Sequence, residues 1–577
     1  MAASPPSRDP IQALDATGVQ AVLSELRPAL IPSRFEKAQQ GDPHTIQLGL
    51  RSLEGIHWLE LSWLAEAPRL LAIPAPPRQG EGSTLAQQLQ HGLRGLALVA
   101  LEQQGWERVV ELHFARRPGE TAQRFLVLEL MGRHSNLFLL DEDRRVIALG
   151  RQVRADQSRL RPIGTGDPYG PPPPAAGDPP RLEESEAHWR QRLALVPLPL
   201  KRALMEAYQG ISPALCRQLV GADDTLLQRN VRDLTPGDWQ SLRQRWQAWL
   251  EAVEQKRFTL RRGGASDWCC WSEAGQGPAV PEPLAINRGL ADYYGERLER
   301  LRCGRRRHAL EQRLRHATEK EGREAERQRQ LLAAVAGSDG LQQQADALLC
   351  LPNPDRSEID AAQKLYRQAR RLRRSVAAIT PRLEQHEQRL AALEASLIFL
   401  DQTEGEAPLQ ALEEELDELL GLVCRRRGAA TGRAERRRNE AGGSGPVPLE
   451  LRTDAGLRVQ VGRNHRQNEW ISLRQARRGD LWFHAQECPG SHVVLKGSEA
   501  PPGEADLLAA ADLAAHFSRG RGNARVPVVM VPTDELQRIP GAGPGTVRHR
   551  GGEVLWGEPA RALPLLRPPN LEREERP

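Results

Sequence analysis

The residues best suited to chemistry lie near the carboxyl end of the chain, between Gly462 and Pro559. This segment contains GRNHRQNEW, DLWFHAQECPGSHVV and GAGPGTV, in which amides, histidines, aromatic rings and glycines recur at strand and turn spacings. Side-chain amides suit base edges and phosphate oxygens, and aromatic rings can stack on bases. We therefore predict a small α+β module that binds a polyanion through its loops.

Alternating side chains on one predicted strand of this module are candidates for stacking on a base. Asp480, Trp482 and His484 should share one face, and Leu481 and Phe483 should point the other way. The alternative is that Trp482 belongs to the core and His484 makes a structural hydrogen bond. The candidates for RNA binding in the module are Arg463, Asn464, Asn468, Trp482, His484, Ser491 and His492.

Two glycine-containing turns of the module are candidates for phosphate binding. The turn 490–492, Gly-Ser-His, could hold a phosphate through its amides and hydroxyl. The loop 541–545 is similar, but it lacks the Gly-Lys-Ser/Thr ending of a nucleotide P-loop, so ATP hydrolysis is not expected.

Metal binding and catalysis are not expected from the sequence. His484, Cys488 and His492 are possible zinc ligands, but a Pro-Gly pair separates them and no second ligand cluster follows. No Ser-His-Asp or Cys-His arrangement has a convincing context. We therefore predict a binding protein without a metal, a cofactor or an enzymatic activity of its own.

Charge and cysteine content favour a nucleic-acid partner inside the cell. The 577 residues carry a formal net charge of +5, with Arg-Arg-Arg triplets at 305–307, 425–427 and 436–438. Clusters of basic side chains are typical of nucleic-acid-binding proteins, although many such clusters are only solvent-exposed protein surface. The scattered cysteines form no CxxC pair, the amino-terminal residues lack the apolar region of a signal peptide, and no apolar run is long enough for a membrane span. These features predict a cytoplasmic protein.

The apolar pattern predicts a multidomain α+β protein. The predicted order is an α+β domain over 1–167, a helix-hairpin-helix domain over 181–256, a short strand-containing connector over 257–287, a coiled-coil arm over 288–424, a basic and glycine-rich linker over 425–448, an α+β RNA-binding module over 449–562 and a disordered tail over 563–577. A proline-rich linker, 168–180, follows the first domain.

Helix signals define the middle of the chain. Ser212 is a predicted N-cap with Pro213 at the first helical position. The backbone amides of the preceding turn could bind phosphate, or the turn could simply join two helices that pack together. A heptad seam continues through Leu372, Val376, Ile379, Leu383, His386, Leu390, Leu393, Leu397 and Leu400. Pro381 should bend or interrupt this helix. The Pro-Asn-Pro turn at 352–354 favours an antiparallel intrachain hairpin over a parallel dimer.

One charged pair in the first domain could contact bases. Glu107 and Arg108 begin a predicted strand and offer an acceptor next to a planar donor. The alternative is an ordinary exposed ion pair.

The order of these elements resembles the NFACT family, whose members are also labelled fibronectin-binding-like proteins. The resemblance covers nearly the whole chain and depends chiefly on DLWFH at 480–484 and PGSHV at 489–493. Weaker agreement comes from GWERVVELHF at 105–114, ELMGRHSNLFLLD at 129–141 and AAQKLYRQARRLRR at 361–374.

The resemblance implies a ribosome quality-control factor. Such proteins bind large (50S) ribosomal subunits that carry peptidyl-tRNA, recruit tRNA, typically alanyl-tRNA in bacteria, and support template-free addition of a C-terminal alanine tail. The ribosome forms the peptide bonds, a small S4-type RNA-binding protein assists, and the arm reaches toward the stalk base.

The resemblance also implies site residues and alternatives. Glu107 and Arg108 match an Asp-Arg pair that the family needs for tRNA use, with Glu in place of Asp. The segment 129–141 adds Arg133, His134 and Asn136 as RNA-binding candidates. Two other hypotheses are a surface adhesin that binds fibronectin and a DNA glycosylase-like repair protein, for which the expected N-terminal proline nucleophile is missing.

Overall fold

The computed structural model describes residues 11–78, 83–156, 158, 161–221, 223–264, 266–271, 282–353, 355–421, 446–539 and 543–566. These residues form two compact units, Met1–Arg300 and Leu301–Pro577. The predicted basic linker and tail lie almost wholly outside the described residues, as does the start of the 541–545 loop.

The first unit begins with a helix and a large sheet. Its first elements are α1 (Ala16–Leu30), β1 (Ser33–Asp42), β2 (Thr45–Ser52), β3 (Gly55–Ser62), β4 (Arg69–Ile73), α2 (Thr84–Gly92), β5 (Ala97–Gln103), β6 (Val109–Ala115), β7 (Arg124–Glu129), β8 (Asn136–Leu140) and β9 (Val146–Leu149). The nine strands pair in the order β4-β3-β2-β1-β5-β6-β7-β8-β9, and every pairing is antiparallel. The alternating apolar residues of the strands pack against α1 and α2 in one core.

A helical domain follows the sheet. Its elements are α3 (Glu186–Ala194), α4 (Leu200–Ala207), α5 (Pro213–Val220), α6 (Pro236–Glu254), β10 (Phe258–Arg262) and β11 (Trp268–Trp271). Successive side chains of β11 point in opposite directions, so Trp268 packs in the sheet core while Trp271 packs in the helical core. This short strand therefore connects the two cores of the unit.

The proline-rich segment 168–180 is anchored to the domains that it joins. Tyr169 is buried against Phe138 and donates a hydrogen bond to Glu129. The amide of Asp178 donates to the Ala207 carbonyl at 3.1 Å. These contacts hold the segment along the domain surface.

Long helices form the arm. They are α7 (Ala285–Val335), α8 (Gly337–Leu349), α9 (Arg356–Asp401) and α10 (Glu406–Leu419). Contacts pair Glu321 with His386 and Ser338 with Arg373, so the sequence numbers rise on one helix as they fall on the other. The predicted antiparallel intrachain hairpin is confirmed.

The heptad seam of α9 faces its partner helices. None of the predicted seam residues is exposed, and Ile379, Leu393 and Leu400 are buried. His386 tolerates its seam position because its Nδ1 lies 2.7 Å from Glu321, a charge at the facing position. The helix continues through Pro381 without interruption.

The last module is a sheet with one central helix. Its elements are β12 (Leu449–Arg452), β13 (Arg458–Val461), α11 (His465–Glu469), β14 (Leu481–Ala485), β15 (Val493–Leu495), α12 (Glu504–His516), β16 (Val526–Pro532), β17 (Gln537–Arg538), β18 (Val547–Arg548) and β19 (Glu553–Gly557). The main sheet has the order β12-β13-β15-β14-β16-β19, and the alanine-rich α12 covers one face. Small side chains on α12 allow its backbone to approach the strands closely, and Gly557 lies directly against it.

The predicted faces of β14 are confirmed, and of the two alternatives for Trp482 the structure favours membership of a core. Phe483 lies in the core under α12, and Trp482 lies on the opposite face, where Ile471, Val494 and Val531 bury it to 3% exposure. Asp480 precedes the strand and is fully buried.

Candidate RNA-binding surfaces

Arg108 is the most distinctive cation of the first unit. It lies one residue before β6 and is half-buried, yet its guanidinium makes no hydrogen bond to any other described residue. Two other half-buried arginines of the same domain form two-pronged pairs with carboxylates, Arg144 with Glu111 and Arg161 with Glu129. Arg108 therefore keeps a planar set of donors available for a ligand.

Asp15 is the acidic neighbour of Arg108. Its carboxylate caps α1 by accepting from the Gly18 amide at 2.8 Å and accepts from the Ser212 hydroxyl at 2.5 Å. Burial raises the pKa of this carboxyl, while the Ser212 hydrogen bond and the Arg108 charge oppose the rise. Sequence spacing alone does not identify Asp15 as part of this site, because Ser212 and Arg108 are distant along the chain.

Among the described residues, the Glu107 carboxylate forms no ion pair with Arg108 and contacts the proline-rich segment instead. Its Oε1 accepts a hydrogen bond from the Ala175 amide at 2.7 Å, in the proline-rich segment. The extra methylene of Glu, compared with Asp, supplies the reach for this contact. Glu107 therefore ties the segment to the start of β6, beside Arg108.

The three candidates at 133–136 differ in exposure. Arg133 and His134 are exposed in a one-turn helix, and Arg133 Nε lies 3.0 Å from the His134 ring. Asn136 is buried; its Nδ2 donates to the Arg151 carbonyl, and its Oδ1 accepts from the Arg151 amide. Asn136 is thus a structural residue that holds this turn, and its assignment to RNA contact is wrong.

The turn before α5 packs inside the unit. Ser212 caps α5 through the Leu215 amide, as predicted, and Gly210 adopts φ +74°. A Cβ on Gly210 would lie 2.9 Å from the Trp106 ring, so this turn faces the first domain. Of the two alternatives, the geometry favours helix packing over phosphate binding.

Aromatic rings line one wall of the last module. The rings of Trp482 and His484 are nearly parallel, with an interplanar angle of 8° and centroids 5.5 Å apart. His492 stands at 87° to both, and His549 lies 5.8 Å from Trp482. We call Trp482, His484, His492 and His549 the aromatic wall. His484 is half-buried, so its ring is accessible where that of Trp482 is not.

The inner histidines of this region are neutral at physiological pH. Burial lowers the pKa of His484 to about 4 and that of His492 well below its usual value. Nδ1 of His492 also lies 2.8 Å from the Ser472 hydroxyl. Trp482, His484 and His492 therefore present flat, uncharged rings.

A cavity of about 1070 Å³ opens in front of the aromatic wall. Its other sides are the end of α9, the end of α10, α11 and the loop 543–549. The start of α11 is fixed to the arm, because His465 Nε2 lies 3.0 Å from the Ser396 hydroxyl and the His465 amide donates to Glu415 at 3.1 Å.

Several candidates in the module hold the fold rather than face the cavity. Asn464 is a buried N-cap that accepts from the Gln467 amide. The amide of Ser491 donates to Phe517 and that of His492 donates to Asn468, so the predicted phosphate turn at 490–492 has no free amide at either residue. The Arg463 Nε and Ser491 Oγ atoms are buried without a partner among the described residues.

Comparison with known proteins places the chain in a family. The model of the NFACT N-terminal and middle domains matches residues 15–353 and 352–428, and the model of the NFACT protein RNA binding domain matches residues 450–551. The chain belongs to the NFACT family.

Several full-length NFACT relatives carry the name Rqc2 homolog RqcH. The protein of Streptococcus suis is 26% identical over 92% of this chain and 95% of its own length. The protein of Bacillus subtilis is 23% identical over 93% of this chain and 96% of its own length. A solved structure, the C-terminal part of the fibronectin/fibrinogen-binding protein from Streptococcus suis, is 27% identical over 45% of this chain and 96% of that chain, with a TM-score of 0.35.

The family matches include both surfaces. Asp15, Arg108 and Ser212 lie within the NFACT N-terminal match, and the aromatic wall lies within the NFACT RNA-binding match. Across the described residues, no group of three or more His, Cys, Asp or Glu side chains is placed to hold a metal ion. Nor does any described helix have the length and apolar character needed to cross a membrane.

Proposed function

We propose that this protein is a ribosome quality-control factor of the cytoplasm. It binds large ribosomal subunits that carry peptidyl-tRNA, recruits a further tRNA, with alanyl-tRNA as the expected species, and supports alanine tailing of the nascent chain. The ribosome forms the peptide bonds, and an S4-type RNA-binding protein is the expected partner.

The observation that carries this proposal is the unpaired guanidinium of Arg108 beside the buried Asp15. A planar donor set without a carboxylate partner suits phosphate oxygens or base edges of a structured RNA. The similarity to proteins named RqcH over most of both chains, and the match to an RNA-binding domain, support RNA and the ribosome as the partners.

The test is recovery of RNA by the tagged, full-length protein from cells. Bound material is separated by sedimentation, and its small RNA is sequenced. We expect large subunits without small ones and one enriched tRNA species. Because phosphate contacts weaken steeply with salt, the recovery is measured at low and physiological salt.

Variants separate the tRNA contact from subunit binding. Arg108→Ala should lose tRNA but keep large subunits, whereas Arg117→Ala, an exposed arginine of the same domain, should change neither. Recovery of no ribosomal RNA even at low salt would contradict the proposed function. Retention of tRNA by Arg108→Ala would contradict the role of Arg108.

A further inference from the structure

The cavity in front of the aromatic wall has the dimensions of a ligand site. Its volume of about 1070 Å³ is slightly above the range for small-molecule pockets, roughly 300–1,000 Å³. It is bounded by elements that are far apart in sequence, including α9 and the loop 543–549. Enclosure on several sides distinguishes it from the flat surface of the arm.

The neutral side chains in the aromatic wall favour an uncharged ligand over an anion. His484 offers a half-buried ring with the parallel Trp482 ring beside it, and His492 closes the corner at a right angle. Because the pKa values of His484 and His492 are lowered, these rings are neutral and do not attract an anion into the interior. A flat, uncharged heteroaromatic ring fits such a corner better than a phosphate does.

Asn468 supplies a directional polar group. The side chain lines the cavity and is only 3% exposed. Its Oδ1 accepts from the His492 amide at 3.1 Å, which fixes the orientation of the side-chain amide. Its Nδ2 has no hydrogen-bond partner among the described residues, so this donor is left for a ligand acceptor in the cavity.

The loop 543–549 places backbone close to this donor. Gly545 adopts φ +77°, and a Cβ there would lie 2.8 Å from the His465 carbonyl oxygen and 3.2 Å from Asn468. Only glycine permits this approach. The close packing keeps Asn468 at the cavity floor and sets the opening between the loop and the arm.

Arginines lie at the opening of the cavity. Arg389 is exposed, although its partner Glu321, at 3.5 Å, is mostly buried and also contacts His386. Arg519 pairs with Glu394 at 3.2 Å, and both of these side chains are accessible to solvent. Exposed pairs of this kind contribute little to stability, so an RNA phosphate can replace the carboxylate at small cost. The opening thus suits a sugar-phosphate backbone, while the interior suits a base.

We propose that this cavity binds one unstacked nucleobase of a single-stranded RNA segment. The base stacks on His484 and receives a hydrogen bond from Asn468 Nδ2 through one of its ring or carbonyl acceptors, and the flanking phosphates lie at the arginines of the opening. This inference rests on the proposed function, which makes RNA the partner, and adds the ligand class and the residues of the module that recognise it.

Two variants and one control test the site in the full-length protein. Binding of short single-stranded RNA is measured by fluorescence anisotropy, and binding of AMP, GMP, CMP and UMP by ligand-observed NMR. His484→Ala should weaken RNA binding about tenfold, within the range for loss of one base stack. Asn468→Asp keeps an acceptor for the His492 amide but removes the donor, and it should also weaken binding. His308→Ala, on an exposed face of α7, should have no effect.

Crosslinking locates the base independently of the variants. RNA containing one 4-thiouridine is crosslinked to the wild-type protein, and the modified peptides are mapped. Crosslinks within 482–492 or 543–549, reduced by Asn468→Asp, support the proposal even if His484→Ala unfolds. Crosslinks confined to other regions, or wild-type affinity in both folded variants, overturn it.

The two hypotheses fail in different ways. If the wild-type protein recovers large subunits and tRNA from cells but the cavity gives no crosslink, the nucleobase site is wrong and the proposed function stands. If no ribosomal RNA is recovered from cells while the cavity still crosslinks RNA, the proposed function is wrong and the site remains.

Discussion

The Ser212 hydroxyl donates a hydrogen bond of 2.5 Å to the Asp15 carboxylate, across 197 residues of sequence. Asp15 caps α1 through Gly18, and Ser212 caps α5 through Leu215. One hydroxyl thereby joins the first turns of two helices from different cores of the first unit. The buried Asp15 is held in place by this contact and lies next to the free guanidinium of Arg108.

Substitutions at Asp15 should separate its capping role from its charge. Asp15→Ala removes the cap and leaves Ser212 without its acceptor, and it should lower the free energy of unfolding by about 1–2 kcal/mol. Asp15→Asn keeps an acceptor and should cost less. Urea unfolding measures both; an equal loss in the two variants would mean that the charge itself holds the junction.

The pH dependence of the Asp15 contribution has a defined sign. Because burial raises the pKa of Asp15 above 3.8, the folded state binds the proton more readily than the unfolded chain. The wild type should therefore gain stability relative to Asp15→Asn as the pH falls toward 3.8. A constant difference between the two proteins from pH 7 to pH 4 would contradict this assignment.

Glu107 should anchor the proline-rich segment through its length rather than its charge. Glu107→Gln keeps the acceptor for the Ala175 amide, whereas Glu107→Asp keeps the charge but is one methylene too short. Hydrogen exchange of the amides in 175–178, followed by mass spectrometry, should be faster in Glu107→Asp and unchanged in Glu107→Gln. Faster exchange in Glu107→Gln alone would show that the charge, not the reach, matters.

Lys496 and Asp480 form a buried ion pair at the end of β14. The two side chains are 5% and 0% exposed, and Nζ lies 3.0 Å from Oδ2. Burial alone would raise the pKa of Asp480, but hydrogen bonds from Ser498, Arg477 and Lys496 outweigh it and hold the pKa below its usual value. The carboxylate therefore stays charged and needs its cation.

Removing one partner of this pair should be more harmful than removing both. Lys496→Met leaves a buried charge unpaired and should lower the free energy of unfolding by about 3–5 kcal/mol. Adding Asp480→Asn should recover much of that loss, as measured by urea unfolding. A double variant that is less stable than Lys496→Met would show that the hydrogen bonds of Asp480 to Ser498 and Arg477 dominate.

Local periodicity predicted the parts of the fold that depend on local sequence. The alternation of β14 and the seam ending at Leu400 were visible in spacing, because they reflect repeats of two and of seven residues. The cap at Ser212 was visible because Ser followed by Pro is a local signal of a helix start. The hairpin strand β1 was missed, since its polar sequence is held in place by pairing with β2 and β5. Pairing partners distant in sequence leave no local signal.

The candidate sites depended more on tertiary context. Trp482 was placed on the correct face, but its burial comes from Ile471 and Val531, which no spacing rule connects to it. Asn136 was a candidate because of the family resemblance and Asn464 because of its amide, and the side chains of both bond to neighbouring backbone. The donors of Arg108 and Asn468 that lack a hydrogen-bond partner among the described residues could be recognised only from the three-dimensional structure, which shows the contacts of the side chains around them.

The buried histidines of the last module should make it sensitive to acid. Burial lowers the pKa values of His465 and His484 to about 4, and it also lowers the pKa values of His492 and His516. Between their unfolded value of 6.5 and these folded values, the unfolded chain binds protons that the folded chain does not. Stability is therefore lost as the pH falls through this interval, by at most about 1.4 kcal/mol per pH unit for each histidine.

Glu415 opposes this trend. Burial raises its pKa to about 7, against the hydrogen bonds that it accepts from the amides of Arg466 and His465, so the folded state binds a proton between pH 4.5 and 7 where the unfolded chain does not. Protonation of Glu415 therefore adds stability on acidification. With four histidines of the described module acting against this one carboxyl, we expect a net loss of stability from pH 6.5 to pH 5.

Matched variants distinguish the two contributions. His484→Gln removes one titrating ring and should make the loss between pH 7 and pH 5 smaller by at most about 2 kcal/mol. Glu415→Gln removes the opposing group and should make the loss larger. Urea unfolding of the wild type and both variants at the two pH values gives the differences. If both variants keep the pH dependence of the wild type, the histidines and Glu415 are not the groups that titrate on unfolding.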